Sequence, residues 1–457
     1  MKTERINDYE AAVSYILGIP RFSAKNDMET TKSFLTYIGE NENAKVIHVA
    51  GTNGKGSVCA FLDSVHRKMG CKTGLFTSPH LVDIRERICI DGQMISREDF
   101  LDCTNYVLDK IEEFNGEEGT YHPSFFEFVF FIAVRYFALT NVDVEIFETG
   151  LGGRLDATNS LSRKDICIIT PIGMDHMEYL GDSIGKIAGE KAGIIKSGVP
   201  VVYMAGEEDA NQAIETVAKE KNAYCYQVNE SKAQILGIKE KNIDFSYKCD
   251  YDSNAIFTVH TYALYQVSNA SLCLSALQIL YGEDIVMKEE VHLGISSMNW
   301  PGRMEEVVPG VFVDGGHNVH GVRAFIESVK ADGYDGRRML LFSAVSDKQV
   351  DVMGQMLVES GLFNEINVCR IDNSRGTETE ILKQIISDSI KNSEQSEGKE
   401  QGLGQTHLKK LEMKEYSSLQ EAYDDMVERR PQDYRMYICG SLYLVGAVKE
   451  YIEEKYD

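Results

Sequence analysis

The chain has 457 residues, 43% of them hydrophobic and 26% charged, which is enough for two or three globular domains. The formal net charge of −24 disfavours nucleic acid and anionic membrane as partners, because both select basic surfaces. Ten cysteines without a C-x-x-C pair are typical of buried thiols in a reducing compartment. Because the segment MKTERINDYEAAV also lacks an apolar signal core, we expect a cytoplasmic protein.

Apolar, β-branched runs alternate with helical segments in the first part of the chain. The predicted strands are Lys45–Ala50, Thr73–Thr77, Val142–Glu148, Asp165–Thr170 and Val199–Met204. This alternation predicts a mostly parallel sheet flanked by helices, one of which covers Ser57–Met69. The apolar run Phe125–Leu139 is shorter than the ~20 residues of a membrane span and predicts a buried helix.

A second alternating series follows a weaker region. Residues Tyr224–Tyr262 alternate like an antiparallel excursion, and NWPG at Asn299–Gly302 then breaks the pattern. We therefore expect two domains, 1–298 and 299–457, the second a smaller Rossmann-like α/β domain. Its predicted strands lie in VFVDGG, RRMLLFSAV, EINVCRI and RMYICGS, and its predicted helices are Val319–Val329, Gln349–Ser360, Glu378–Ile390 and Ser417–Arg429. The polar segment Asn392–Gln405 predicts an exposed loop.

A glycine-rich loop with one lysine joins the first predicted strand to a helix, in VIHVAGTNGKGS (Val46–Ser57). Backbone N–H groups and the positive helix end favour an anion there, and Lys55 adds a charge. The common phosphate loop places a hydroxyl directly after lysine, whereas here it follows at Ser57. An ordinary tight turn is the alternative interpretation, but a lysine between two glycines favours phosphate. The predicted contacts are Thr52, Asn53, Gly54, Lys55, Gly56 and Ser57.

Eight motifs, in order, resemble those of folylpolyglutamate synthase/dihydrofolate synthase. They are HVAGTNGKGS (48–57), TSPHL (77–81), ETGLGGRLDATN (148–159), ITPIGMDHMEYLG (169–181), GEKAGIIKSGVP (189–200), WPGRME (300–305), DGGHN (314–318) and GSLYLVG (440–446). That family belongs to the ATP-dependent amide ligases that include the Mur ligases. The resemblance implies a P-loop-type ATP-binding domain and a C-terminal domain that binds glutamate and closes on the nucleotide. One departure is Gly316, where the family commonly has alanine.

The resemblance implies that a carboxylate attacks the γ-phosphate of ATP and that the amine of glutamate then displaces phosphate from the acyl phosphate. It assigns catalytic roles to Glu148, His176, Lys191 and His317. It further implies two Mg²⁺ sites, of which Glu148 and Ser78 serve one. His176 and a carbamylated Lys191 serve the other, and because imidazole is an unusual magnesium ligand, that site also accepts Mn²⁺.

The resemblance also places the nucleotide and the pterin. Arg303 and His317 are the implied phosphate contacts, Asp314 the ribose contact and Asn269 the adenine-side contact.

For the pterin, Phe126 is a candidate stacking platform. Asp156 and Ala157 match a loop that lies against dihydropteroate in bifunctional members. The implied activity is addition of L-glutamate to tetrahydrofolate and to dihydropteroate, by a monomer whose partners are small molecules.

Other functions stay open at this point. Folylpolyglutamate synthesis alone is one alternative, and another Mur-type amino-acid ligase is a second. The second would need a domain for a UDP-sugar, and His48–Ser57 lies too near the start to leave room for it. A nucleotide-binding regulatory module would have lost a catalytic position. The expected positions are all present: Glu148, His176, Lys191, Asp314 and His317. The spacing of the glycine-rich loop argues against a motor ATPase.

Overall fold

The structure is a computed structural model. It describes residues 5–19, 26–116, 119–249, 254–346, 348–372, 375–400, 411–430 and 434–456, with the backbone alone for 394–400. The strands are β1 (Lys45–Ala50), β2 (Thr73–Phe76), β3 (Ile88–Ile90), β4 (Gln93–Met94), β5 (Val144–Glu148), β6 (Ile166–Ile169), β7 (Val201–Met204), β8 (Cys225–Val228), β9 (Ala233–Lys239), β10 (Asn242–Lys248), β11 (Asn254–His260), β12 (Glu305–Val308), β13 (Val311–Asp314), β14 (Arg337–Phe342), β15 (Glu365–Cys369), β16 (Glu412–Tyr416) and β17 (Tyr434–Cys439). The helices are α1 (Tyr9–Gly18), α2 (Met28–Ile38), α3 (Lys55–Lys68), α4 (Arg97–Asn115), α5 (Phe125–Thr140), α6 (Met177–Leu180), α7 (Ile184–Ala192), α8 (Glu208–Glu220), α9 (Tyr265–Tyr281), α10 (Glu289–Ser297), α11 (Val319–Ala331), α12 (Val350–Glu359), α13 (Thr379–Glu400), α14 (Leu419–Arg429) and α15 (Leu442–Tyr456).

One compact unit is built on an eight-stranded sheet. The unit comprises Met1–Gln234, Phe245–Thr258 and Ser268–Met298. Its strands lie in the order β4-β3-β2-β5-β1-β6-β7-β8. From β2 to β8 neighbouring strands run parallel, and β3 and β4 pair antiparallel at one edge. Because β8 continues the parallel sheet, the expectation of an antiparallel excursion beginning at Tyr224 is wrong for the residues of β8.

The central strand β1 explains where this unit places chemistry. Its sequence KVIHVA is buried along almost its whole length, as expected for a parallel strand covered on both faces. β5 and β6 flank it, so Glu148, the glycine-rich loop and the loop after β6 all leave from the same edge of the sheet. In open α/β sheets, that carboxyl edge is where ligands bind.

Helix α5 supplies much of the core beneath this sheet. Ser124 caps it, in a capping box with Glu127, and its phenylalanines pack into an aromatic cluster with rings from β2 and β5. The prediction of a buried helix over Phe125–Leu139 is therefore confirmed. Among the described helices, none combines the length and apolarity needed to cross a membrane.

The second compact unit comprises Ile235–Asp244, Val259–Val267 and Asn299–Asp457. It contains a six-stranded sheet of order β12-β13-β17-β14-β15-β16, in which β12 pairs antiparallel and the other pairs are parallel. With the eight-stranded sheet, this confirms the predicted α/β class with a smaller Rossmann-like part. Strands β9, β10 and β11 form a separate three-stranded sheet.

Helix α13 corrects one expectation. It continues to Glu400, so the loop predicted from Asn392 is helical over that stretch, and residues 401–405 lie outside the described residues. The Glu, Gln and Lys residues there are good helix formers, and they extend a helix whose earlier turns are anchored by Leu382 and Ile386 in the core.

Candidate active site

The glycine-rich loop ends in a helix N-terminus. Gly54 has a φ of 88°, a left-handed conformation that suits glycine, and Lys55 is the first residue of α3. The helix thus begins two residues before the predicted start at Ser57. The first N–H groups of any helix have no partner inside it, so those of Gly54–Ser57 lie at the positive end of α3.

The loop is held against the segment that follows β6. The N–H groups of Thr52 and Asn53 donate to the carbonyl of Pro171, at 3.1 and 3.3 Å, and the hydroxyl of Thr52 pairs with Gly173. A Cβ at Gly51 would lie 1.8 Å from Oγ1 of Thr170, so only glycine fits. Thr52 and Asn53 therefore use their amides to hold the loop against the segment after β6.

Asn269 reaches the same loop from helix α9. Its side chain is buried, and a Cβ at Gly54 would lie 2.4 Å from its Oδ1 atom. Asn269, which the sequence predicts as a nucleotide contact, therefore packs directly on the glycine-rich loop.

Glu148, Lys55 and Ser78 also meet here. Glu148 ends β5 opposite Val49 and is 3% exposed. Its Oε2 accepts a hydrogen bond of 2.9 Å from the N–H of Ser78, and its Oε1 lies 3.9 Å from Nζ of Lys55. The arrangement places one carboxylate and one ammonium group at the start of α3.

Lys191 approaches the loop from helix α7. Its side chain is 4% exposed, and its Nζ donates to the carbonyl of Gly51 at 2.7 Å. Burial and, as a smaller contribution, the charge of Lys55 together lower the pKa of Lys191 to about 7. A substantial fraction of this amine is therefore neutral near physiological pH.

His176 lies beside a buried carboxylate. Its φ is 50°, an uncommon left-handed conformation for a non-glycine residue, and this position precedes the short helix α6. The His176 N–H donates to Oδ1 of Asp175 at 2.8 Å, and its ring Nε2 lies 3.9 Å from the same oxygen. Asp175 also acts electrostatically on Lys191, so it lies near both predicted ligands of the second metal.

The predicted pterin residues surround the loop after β5. A Cβ at Gly150 would lie 2.7 Å from the ring of Phe126, which also contacts Phe76 at a centroid distance of 5.6 Å. The carboxylate of Asp156 accepts hydrogen bonds from the N–H groups of residues 150, 151 and 158 and from the Thr158 hydroxyl. The Asp156 side chain thus holds this loop together through internal hydrogen bonds. It also caps the helical turn that begins at Ala157, which is buried.

In the second unit, the structure brings Arg303, Asp314 and His317 together around the DGGHN turn. A Cβ at Gly315 would lie 2.1 Å from Nη1 of Arg303. Nδ1 of His317 lies 2.8 Å from the carbonyl of Gly315, and because a carbonyl only accepts, Nδ1 carries the proton. Asp314 is buried, which raises its pKa, while the Arg303 charge opposes that rise.

No protein-family model matches the chain. Dihydrofolate synthase/folylpolyglutamate synthase from Bacillus subtilis is 36% identical to it over 348 residues, which cover 74% of this chain and 80% of that protein. The chain belongs to the folylpolyglutamate synthase/dihydrofolate synthase family.

Two further proteins are similar to nearly the whole chain. A probable dihydrofolate synthetase from Schizosaccharomyces pombe is 28% identical over 425 residues, covering 92% of this chain and 96% of that protein. A solved structure of E. coli FolC in complex with DHPP and ADP has a TM-score of 0.81 at 25% identity, covering 100% of both chains. The predicted family, the fold class and the assignment to the ATP-dependent glutamate ligases of folate metabolism are thereby confirmed.

Two residues of this synthase were missed by sequence reasoning. Asp175 lies inside the motif ITPIGMDHMEYLG, directly before His176, and a carboxylate next to a predicted metal ligand is a pattern that the sequence shows. Tyr265, which contacts Asp314, lies in a segment without a motif, so only the three-dimensional contact reveals it.

Proposed function

We propose that this synthase adds L-glutamate to tetrahydrofolate and to dihydropteroate through an acyl phosphate. The observation that carries the proposal is the meeting of Lys55, Glu148 and Ser78 at the N-terminus of α3. A carboxylate oxygen of the pterin substrate attacks the γ-phosphorus, and the bond to ADP breaks. The glutamate nitrogen then attacks the acyl carbon, phosphate leaves, and the nitrogen loses a proton.

The phosphate loop stabilises the charge that develops in the first step. The amides of Gly54–Ser57 and the Lys55 ammonium group face the phosphates, and they are already oriented before the reaction begins. Glu148 and Ser78 offer hard oxygen donors of the type that Mg²⁺ prefers, and that ion supplies positive charge at the phosphates when bound.

The proposed second metal site requires that Lys191 is chemically modified. Within the described residues no three His, Cys, Asp or Glu side chains converge as a metal site, and an ammonium group repels a cation. The neutral amine of Lys191 attacks carbon dioxide, forming a nitrogen–carbon bond and releasing a proton, and the resulting carbamate is anionic. That carbamate, together with His176, fits Mg²⁺ or Mn²⁺.

We assign the remaining predicted residues to the pterin and to the nucleotide. Phe126 lies over the loop after β5, which supports a stacking role for its ring. Asp156 and Ala157 build the same loop, and we assign that loop to dihydropteroate.

We assign Arg303, Asp314 and His317 to ATP, together with Asn269. Domain 299–457 binds glutamate, and the enzyme acts as a cytoplasmic monomer. The name of the Bacillus relative, which carries both activities, and the FolC complex with DHPP and ADP support the two proposed activities and the binding of ATP.

The deciding assay measures phosphate release from ATP with glutamate and, separately, dihydropteroate or tetrahydrofolate. Release that requires both glutamate and a pterin supports the proposal. If glutamate-dependent release occurs with tetrahydrofolate but not with dihydropteroate, the enzyme is restricted to folylpolyglutamate synthesis. Release that requires neither glutamate nor a pterin contradicts the proposal.

A further inference from the structure

Tyr265 makes a short hydrogen bond to a buried carboxylate. It is the first residue of α9, and its hydroxyl donates to Oδ2 of Asp314 at 2.6 Å. Asp314 is 2% exposed, so the hydroxyl is one of a small number of polar groups that can solvate this carboxylate.

The carboxylate of Asp314 ties three segments together. Its Oδ2 also accepts the N–H of Met304 at 3.0 Å, and its Oδ1 accepts the N–H of Gly316 at 2.8 Å. The second bond closes the turn that carries His317, whose ring is fixed on Gly315. A change at Tyr265 therefore reaches the DGGHN turn through Asp314.

We propose that Tyr265 is a positioning residue for nucleotide binding, because its hydroxyl holds the Asp314 carboxylate ionised and oriented to accept a hydrogen bond from the ribose. The inference rests on the proposed assignment of Asp314 to ATP. Tyr265 does not contact the reacting atoms in this account, and it acts by solvating a carboxylate that the fold has removed from water.

The charges around Asp314 set the direction of the effect. Burial raises the pKa of Asp314, and Arg303 and the Tyr265 hydrogen bond oppose that rise. Cys439 lies opposite Asp314 in the register of the neighbouring strand β17. Burial and the Asp314 carboxylate raise the pKa of the Cys439 thiol, so the thiol stays neutral. Loss of the tyrosine hydroxyl therefore raises the pKa of Asp314 and shifts the acid limb of ATP binding to higher pH.

The test compares Tyr265→Phe with the wild-type enzyme. We expect the KM for ATP and the Kd for ADP to rise about tenfold, the cost of a lost hydrogen bond to a charged group. The acid limb of kcat/KM for ATP should move up by about one pH unit, while kcat at saturating ATP stays within about twofold. Tyr437→Phe is the matched control, because the Tyr437 hydroxyl donates to buried Asp332 in the same unit, and it should leave both ATP parameters unchanged.

A second replacement keeps the test decisive if Tyr265→Phe does not fold. Difluorotyrosine at position 265 keeps the ring and donates more strongly, so the acid limb should move to lower pH. An unchanged KM and pH profile in an active enzyme would overturn the inference about Tyr265. Wild-type enzyme without pterin- and glutamate-dependent phosphate release would instead overturn the proposed function.

Discussion

Nζ of Lys191 donates a hydrogen bond to the carbonyl oxygen of Gly51, 2.7 Å away. The lysine predicted to be carbamylated is thus tied to the first glycine of the glycine-rich loop. Gly51 is itself fixed by close contact with Thr170, so it cannot follow large movements of the lysine. The chemical state of Lys191 and the geometry of the loop are therefore linked.

Lys191 should carry a carbamate that activity requires. Lys191→Arg keeps a cation but cannot be carbamylated at neutral pH, so we expect activity to fall at least about a hundredfold. Lys186→Arg on the same helix, which is exposed, is the control and should stay active. Native mass spectrometry under carbon dioxide should show an added carboxyl on the wild type; an unmodified, fully active enzyme would contradict the assignment.

The carbamate should also depend on pH. Only the neutral amine reacts with carbon dioxide, and the pKa of Lys191 is lowered to about 7, chiefly by burial. At a fixed carbon dioxide pressure, the carbamylated fraction should therefore rise as pH increases through 7. Carbon dioxide activation that is equal at pH 6 and pH 8, values about one unit on either side of that pKa, would argue against this mechanism.

Lys55→Ala should abolish turnover, with a loss of at least about a thousandfold in kcat, because the loop loses its ammonium group next to the phosphates. Lys68→Ala, in the exposed last turn of the same helix, is the matched control and should retain activity. The measurement is glutamate-dependent phosphate release. Near-normal activity of Lys55→Ala would mean that the loop does not bind the reacting phosphate.

Gly54→Ala should raise the Kd for ATP by at least about tenfold, because a Cβ would lie 2.4 Å from Oδ1 of Asn269. Gly70→Ala separates this clash from backbone strain. Gly70 also has a positive φ, of 82°, but a Cβ there meets nothing within 4 Å. Equal effects of the two substitutions on ATP binding would contradict the assignment of Gly54 and Asn269 to the nucleotide site.

Sequence patterns predicted the buried strands well because they are nearly continuous apolar runs. β1 was predicted with its observed bounds, Lys45–Ala50. The strand β16, EMKEY, was not predicted because it is polar and partly exposed. Its position in the sheet follows from its parallel pairing with β15. The contact of Tyr265 with Asp314 joins positions 49 residues apart, and periodicity carries no information about such a pair.

Glu145 should make stability depend on pH. This β5 carboxyl is buried, its Oε1 has no hydrogen-bond partner among the described residues, and burial raises its pKa to about 8. The folded state therefore keeps a proton that the unfolded chain releases, so stability is lost as pH rises from the unfolded pKa through the folded pKa. Glu145→Gln should remove this loss and raise the free energy of unfolding at pH 8 by on the order of 3 kcal/mol relative to wild type.

Denaturant unfolding at several pH values checks this prediction. The advantage of Glu145→Gln should be small near pH 5, since that lies only about half a unit above the ordinary pKa of glutamate, and should grow toward pH 8. Glu220→Gln, at the exposed end of α8, is the control and should show no such growth. A difference that does not change with pH would contradict the assigned pKa of Glu145.

The most direct test of the central claim follows one oxygen atom. The substrate is dihydropteroate or tetrahydrofolate whose reacting carboxylate carries oxygen-18. It is incubated with ATP, glutamate and the enzyme, and the masses of the products are measured by mass spectrometry. The acyl-phosphate account predicts that one labelled oxygen appears in inorganic phosphate and that the folate gains a glutamate. Label in AMP, or phosphate that remains unlabelled while product forms, would contradict it.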